Sequence, residues 1–64
     1  MNANDKNAAR LLTAQDVADC LKISKSMAYK LIKTCELPSV RMGRSVRVRY
    51  EDLLEFIQAR MVQP

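Results

Sequence analysis

A small α+β fold, mostly helical, is what this 64-residue chain predicts: two short helices, a two-strand hairpin and a closing helix. Two observations carry the architecture and a third points to its use. Apolar residues recur at helical spacing between 14 and 35, the period falls to two between 39 and 49, and helical spacing returns from 51 to 61. The third is charge. Lys22, Lys25, Lys30, Lys33, Arg41, Arg44, Arg47 and Arg49 stand in the middle of the chain with one acid, Glu36. The flanks hold three basic residues and six acids, so the net charge of +4 is +7 on the middle segment and −3 on the rest.

The first helix starts at Leu12-Thr13-Ala14-Gln15-Asp16-Val17. Thr13 is the cap, and Asp16 three residues on is a weaker version of the capping-box acid. Leu12 and Val17 occupy the two positions of a hydrophobic staple. Ala14, Val17, Ala18 and Leu21 form one stripe, and Asp16 and Asp19 face away from it. A second cap, Ser24 after the apolar Ile23, opens a stretch to Thr34 free of Gly and Pro. There Ala28, Leu31, Ile32 and Cys35 turn inward, Ser26, Lys30 and Lys33 lie opposite, and Lys25 and Tyr29 sit at the margins. Two short helices joined by Leu21-Lys22-Ile23-Ser24 make a helix-turn-helix. Ala18 and Ala28 are small enough for the two backbones to cross closely.

After Leu37-Pro38 the alternation begins. Val40 and Met42 alternate with Ser39 and Arg41, and Val46 and Val48 with Ser45, Arg47 and Arg49. Gly43-Arg44 lies between the runs, and Gly at the first turn position is the mark of a two-residue II′ hairpin. The expected result is a basic wing, with its apolar face on the helices and a row of arginines on the other. Glu51 and Asp52 then open a helix whose dipole they complement. Phe56, Leu53, Ile57, Met61 and Leu54 span an arc of about 160° at about 100° per residue, with Leu54 at its exposed edge. The domain is expected over 11–61, after a flexible arm at 1–10 and before a tail at 62–64.

Composition excludes several functions. A chain this short is marginally stable and has no room for a second domain, a cofactor fold or an enclosed substrate pocket. No apolar run approaches the roughly 18 residues of a membrane span, and no signal peptide opens the chain, so a cytoplasmic location is expected. With no histidine and two cysteines, Cys20 and Cys35, that form no CxxC, an ordinary zinc site cannot be assembled. Both thiols are expected to be free and buried. No histidine, one glycine and carboxylates confined to solvated helix surfaces argue against an enzyme, and no cofactor, metal or small-molecule ligand is expected.

The segments Thr13 to Ala18, Ile23-Ser24-Lys25-Ser26, Tyr29 to Ile32, Leu37-Pro38, Val40 to Arg44 and Asp52 to Ile57 resemble the excisionase-type winged helix-turn-helix family, a compact relative of MerR-like domains. The resemblance covers roughly residues 11 to 58. The wing with its closing helix is the specific part; the helix-turn-helix alone is not. One departure is Lys22, where the family usually has Gly. Either Lys22 is left-handed, at a cost near 1 kcal/mol, or the turn differs. The resemblance implies a bacterial or phage protein, nucleoid-associated, with its second helix in the major groove of double-stranded DNA and its wing at an adjacent minor groove or backbone. It further implies bending of DNA to direct an integrase or recombinase toward excision, or else a short transcriptional regulator.

Ser24, Lys25, Ser26, Tyr29, Lys30 and Lys33 are the recognition-helix candidates. Lys25, Ser26, Tyr29 and Lys30 sit where such a helix meets base edges, and Lys33 a turn later suits phosphate. Ser24 equally serves as a cap, and Tyr29 either packs in the core or reaches phosphate through its hydroxyl. Arg44, at the hairpin tip, suits a narrow minor groove, with Arg41, Arg47 and Arg49 along the sugar-phosphate walls; the alternative is arginines that merely solubilise the strand. A reading from another class is a protein-interaction adaptor that uses Leu54, Met61 and the arm. One recognition helix reads few base pairs, so copies of a free monomer are expected to associate on repeated sites.

Overall fold

In the computed structural model, which describes residues 10–62, the chain runs β1 (Leu11–Leu12), α1 (Ala14–Leu21), α2 (Lys25–Lys33), β2 (Val40–Met42), β3 (Ser45–Arg49) and α3 (Tyr50–Ala59). This is the expected winged helix-turn-helix order with one strand added. The expected arm lies outside the described residues except for Arg10, and the tail except for Val62.

Local chemistry sets the two helices. The Thr13 hydroxyl accepts from the Asp16 amide at 3.0 Å and the Asp16 carboxylate accepts from the Thr13 amide at 3.0 Å. The capping box is therefore complete, not a weakened one. At the other end Lys22 is left-handed (φ 60°, ψ 42°), the first of the two alternatives. The Lys22 and Ile23 amides both donate to the Ala18 carbonyl, which turns the chain into the second cap. There the Ser24 hydroxyl accepts from the Met27 amide at 3.1 Å.

The end of α2 corrects two expectations. Cys35 does not extend the inward stripe: it leaves the helix with φ 63°. The Glu36 amide donates to the Leu31 carbonyl at 3.0 Å and the Cys35 amide to the Ile32 carbonyl at 3.1 Å, a Schellman stop with cysteine where Gly is usual. Cys35 and Cys20 are free, as expected, but both are exposed and not buried. Cys20 lies at the end of α1 on the side away from its buried stripe.

The sheet has the order β1-β3-β2, antiparallel throughout. β1 was not anticipated. It pairs Leu11 with Arg49 and Leu12 with Val48, and the Tyr50 amide extends the ladder to the Arg10 carbonyl at 2.9 Å. The hairpin closes as expected, with Met42 opposite Ser45 across Gly43-Arg44. Gly43 has φ 61° and Arg44 is not at positive φ, which selects II′ over I′.

Register overturns the single row of arginines. Val40 faces Arg47 and Arg41 faces Val46, and residues opposite each other share a face. Arg41 therefore stands on the side of Val46 and Val48, whereas Val40 and Met42 share the other side with Arg47 and Arg49.

The three helices, β3 and the loop before β2 supply the core: Ala14, Val17, Ala18, Ala28, Ile32, Leu37, Val48 and Leu53 are buried, with Leu12, Phe56 and Ile57 packed against them. Ala18 and Ala28 lie where α1 meets α2, so methyl groups set that spacing. Leu54 is 43% exposed, as its edge position implied, but Met61 falls beyond the end of α3 and is 57% exposed.

Candidate nucleic-acid interface

The outward face of α2 carries Lys25, Ser26, Tyr29, Lys30 and Lys33, all exposed, and Ser24 is exposed at the cap. The helix turns these side chains out because Ala28 and Ile32 hold its opposite side in the core. Ser24 performs the capping role, with its oxygen on the Met27 amide. Tyr29 is 51% exposed, which removes the core-packing alternative. The Lys25 ammonium stands 6.0 Å from the Tyr29 ring centre, within cation–π range.

Two clefts flank that ring. One, of about 250 Å³, lies between Thr13 and Gln15 at the start of α1, Lys25 and Tyr29 of α2, and Arg44 and Arg47 of the hairpin. The other, of about 420 Å³, is lined by Tyr29, Ile32, Lys33, Arg41 and Val46. The structure thus brings α2 and the hairpin side by side, with Tyr29 at the seam. Arg41 reaches the second cleft because register puts it on the Val46 side of the sheet. Arg47 reaches the first, where its guanidinium donates to the Val46 carbonyl at 3.0 Å.

Arg49 is placed differently from its neighbours. It forms a two-point fork on Asp52, at 2.7 and 3.0 Å, and a further contact with Glu51 at 3.1 Å. The Asp52 hydrogen bonds, then its charge and that of Glu51, raise the Arg49 guanidinium above its ordinary value. The Arg49 hydrogen bonds hold Asp52 below the usual carboxylate value. Arg49 therefore ties β3 to the first turn of α3. Asp16 is also held low, first by the Thr13 amide, then by the Thr13 hydroxyl, with a smaller pull from Arg47.

The other seven basic residues of the middle segment form no ion pair among the described residues. Glu36, the acid within that segment, is engaged by Arg60 at 3.1 Å and by the Thr34 hydroxyl at 3.2 Å. Arg60 in turn lies 3.8 Å over the Phe56 ring. An acid that would weaken the central field is thus matched by a cation from α3's end.

Sequence reasoning passed over Met27, which is 44% exposed, and set Met42 on the apolar face expected to cover the helices, whereas Met42 is 48% exposed. Met27 lies in the first turn of α2, beside Ser26 and Lys30. Met42 is the last residue of β2, next to the hairpin tip. For Met27 the available signal was an apolar residue off the inward stripe of its helix. No helix among the described residues is long and apolar enough to cross a membrane, and none of their His, Cys, Asp or Glu residues cluster as a metal site.

The profile of the family described as "Helix-turn-helix domain" matches residues 11–61. The chain is similar to "Uncharacterized protein YvgK" of Bacillus subtilis (strain 168), 44% identical over 59 residues that span 91% of this chain and 19% of that one. It is also similar to "Putative DNA-binding protein Rv0500A" of Mycobacterium tuberculosis (strain ATCC 25618 / H37Rv), 45% identical over 49 residues. That match covers 72% of this chain and 63% of the relative. The chain thus spans a fifth of one relative and under two thirds of the other. No solved structure matches.

Proposed function

We propose, from the premise that the chain belongs to the helix-turn-helix domain family, that it binds double-stranded DNA sequence-specifically through α2 and the hairpin together. One observation carries this reading. Lys25 and Lys33 of α2 and Arg41, Arg44 and Arg47 of the hairpin line adjoining clefts on either side of Tyr29, and none of these five is matched by a carboxylate among the described residues. An unpaired cationic surface that joins a helix to a hairpin suits a major groove and the backbone beside it. The description of the mycobacterial relative as a DNA-binding protein supports the same reading.

In this arrangement Ser26 and Lys30 meet base edges, Met27 offers an apolar contact to thymine methyls, and Lys25 turns to the backbone. Lys33 and Arg41 grip phosphates, and Arg44 enters the adjacent minor groove. Arg49 serves mainly to hold α3. Selection of duplexes from a random pool tests the reading. A common motif should emerge, and Lys30→Ala should weaken it by about 1–3 kcal/mol more than it weakens random DNA. A chain that enriches no motif would sink the proposal.

The biological role we propose is that of an excision factor, which bends DNA for an integrase by placing several copies on closely spaced sites. A single module covers only about 600–1,000 Å² of its surface on DNA, so contacts between neighbouring copies are needed for discrimination. A transcriptional regulator that uses the same surface is the second reading. Circularly permuted fragments separate them. A bent duplex bound by a free monomer supports the first, and a straight duplex bound by a stable dimer supports the second.

A further inference from the structure

We infer that the smaller cleft seats one backbone phosphodiester of the duplex, held jointly by α1, α2 and the hairpin. This rests on the DNA reading above and deepens it by naming a third element and the groups that meet a single phosphate. The cleft lies between Ala14 and Gln15 at the first turn of α1, Lys25 and Tyr29 of α2, and Arg44 and Arg47 of the hairpin. No carboxylate lines it, and none of its three cations forms an ion pair among the described residues.

The geometry favours an anion over a neutral ligand. Lys25 stands over the Tyr29 ring and both residues line the cleft, so an ammonium and a phenol side chain border the same space. The hydrogen bond from Arg47 to the Val46 carbonyl restrains a guanidinium at the opposite wall. The amides of Ala14 and Gln15 are the first two of α1 and have no acceptor within that helix. Asp16 does not take them: its carboxylate is turned back onto the Thr13 amide. Cations, a hydroxyl and free amides at a helix start are the donor set that binds phosphate. The larger cleft is a poorer seat, because Ile32 and Val46 form much of its wall. A phosphate held in the smaller one would fix the spacing between the helix in its groove and the hairpin beside it.

The test uses a duplex selected from a random pool and resynthesised with one uncharged methylphosphonate at each backbone position in turn. Affinity is measured for the wild-type chain, Tyr29→Phe, Lys25→Gln and, as a control in the other cleft, Arg41→Gln. At one position, neutralisation should weaken the wild type about tenfold or more, the scale of a charge-assisted hydrogen bond. The same neutralisation should cost Tyr29→Phe and Lys25→Gln about threefold or less, since part of the contact is already gone. Arg41→Gln should keep the full loss. Tyr29 and Lys25 are exposed, so neither change disturbs the core. Selected binding with no phosphate coupled to both residues, or with one coupled equally to Arg41, overturns the phosphate seat and leaves the DNA reading standing. A wild-type chain that selects no duplex overturns both.

Discussion

Lys22 and Cys35 hold φ of 60° and 63°, and a side chain in that region costs about 1–2 kcal/mol. Both end a helix, and in both cases the turn must be made because a buried residue follows or precedes it closely. Leu37, fully buried, comes two residues after Cys35, and Ala18, whose carbonyl closes the Lys22 turn, is buried too. Core packing on either side over-determines the strained residue. Cys35→Gly should therefore raise stability by roughly 0.5–1 kcal/mol, the backbone relief being partly offset by the freer unfolded chain. Urea denaturation of the variant checks this, and an unchanged midpoint would mean that Cys35 is unstrained. Lys22→Gly should add a similar gain, nearly independently, as the two turns share no partner.

At the scale of the element, the hairpin and α3 depend on different chemistry. Gly43 has φ 61°, and a Cβ built there meets nothing within 4 Å. The demand on this position is conformational and not steric. Gly43→Val should distort the II′ turn at about 1–3 kcal/mol while circular dichroism keeps its helical signal. DNA affinity should fall markedly, and unchanged affinity would take the hairpin out of the interface. The start of α3 depends instead on the Arg49 fork, which leaves Asp52 below its ordinary carboxylate value. A depressed folded-state value means that the fork contributes stability above the ordinary value of about 3.9 and loses it as pH falls through the lower, folded one. Asp52→Asn should thus lower stability at neutral pH and flatten the acid limb of the unfolding profile. An acid limb of unchanged steepness would show that the fork is not maintained in solution. The same variant frees Arg49, and tighter binding to DNA is the expected second effect.

Across the whole molecule, charge is sorted so that the middle segment keeps its field. Glu36 is answered by Arg60, and Arg49 is tied to acids of α3, which leaves seven basic residues without a carboxylate partner among the described residues. With about six phosphate contacts, the logarithm of affinity should fall against the logarithm of salt with a slope near −5, at about −0.9 per contact. A slope shallower than about −2 in a salt titration would exclude this surface as the main contact. Lys25→Gln should make the slope shallower by about one.

What could be read in the chain itself was whatever is settled within a few residues. Thr13 and Ser24 announce caps, Ala14, Val17, Ala18, Ala28 and Ile32 announce buried faces, and Gly43 announces its turn, because capping, helical period and φ are local properties. The family resemblance rested on those same segments, and residues 11–61 match that family's profile. Tertiary structure decided the rest. Leu11-Leu12 became a strand only because β3 offers it an edge, and two residues carry no period of their own. Cys35, on the inward stripe by period alone, is exposed because α2 stops two residues earlier. Arg41 parted from Arg47 because pairing register, which depends on the partner strand, sets which residues share a face. The clefts around Tyr29 have the same origin. Their walls come from segments distant in the chain, and no spacing within one segment encodes how far apart two of them will stand.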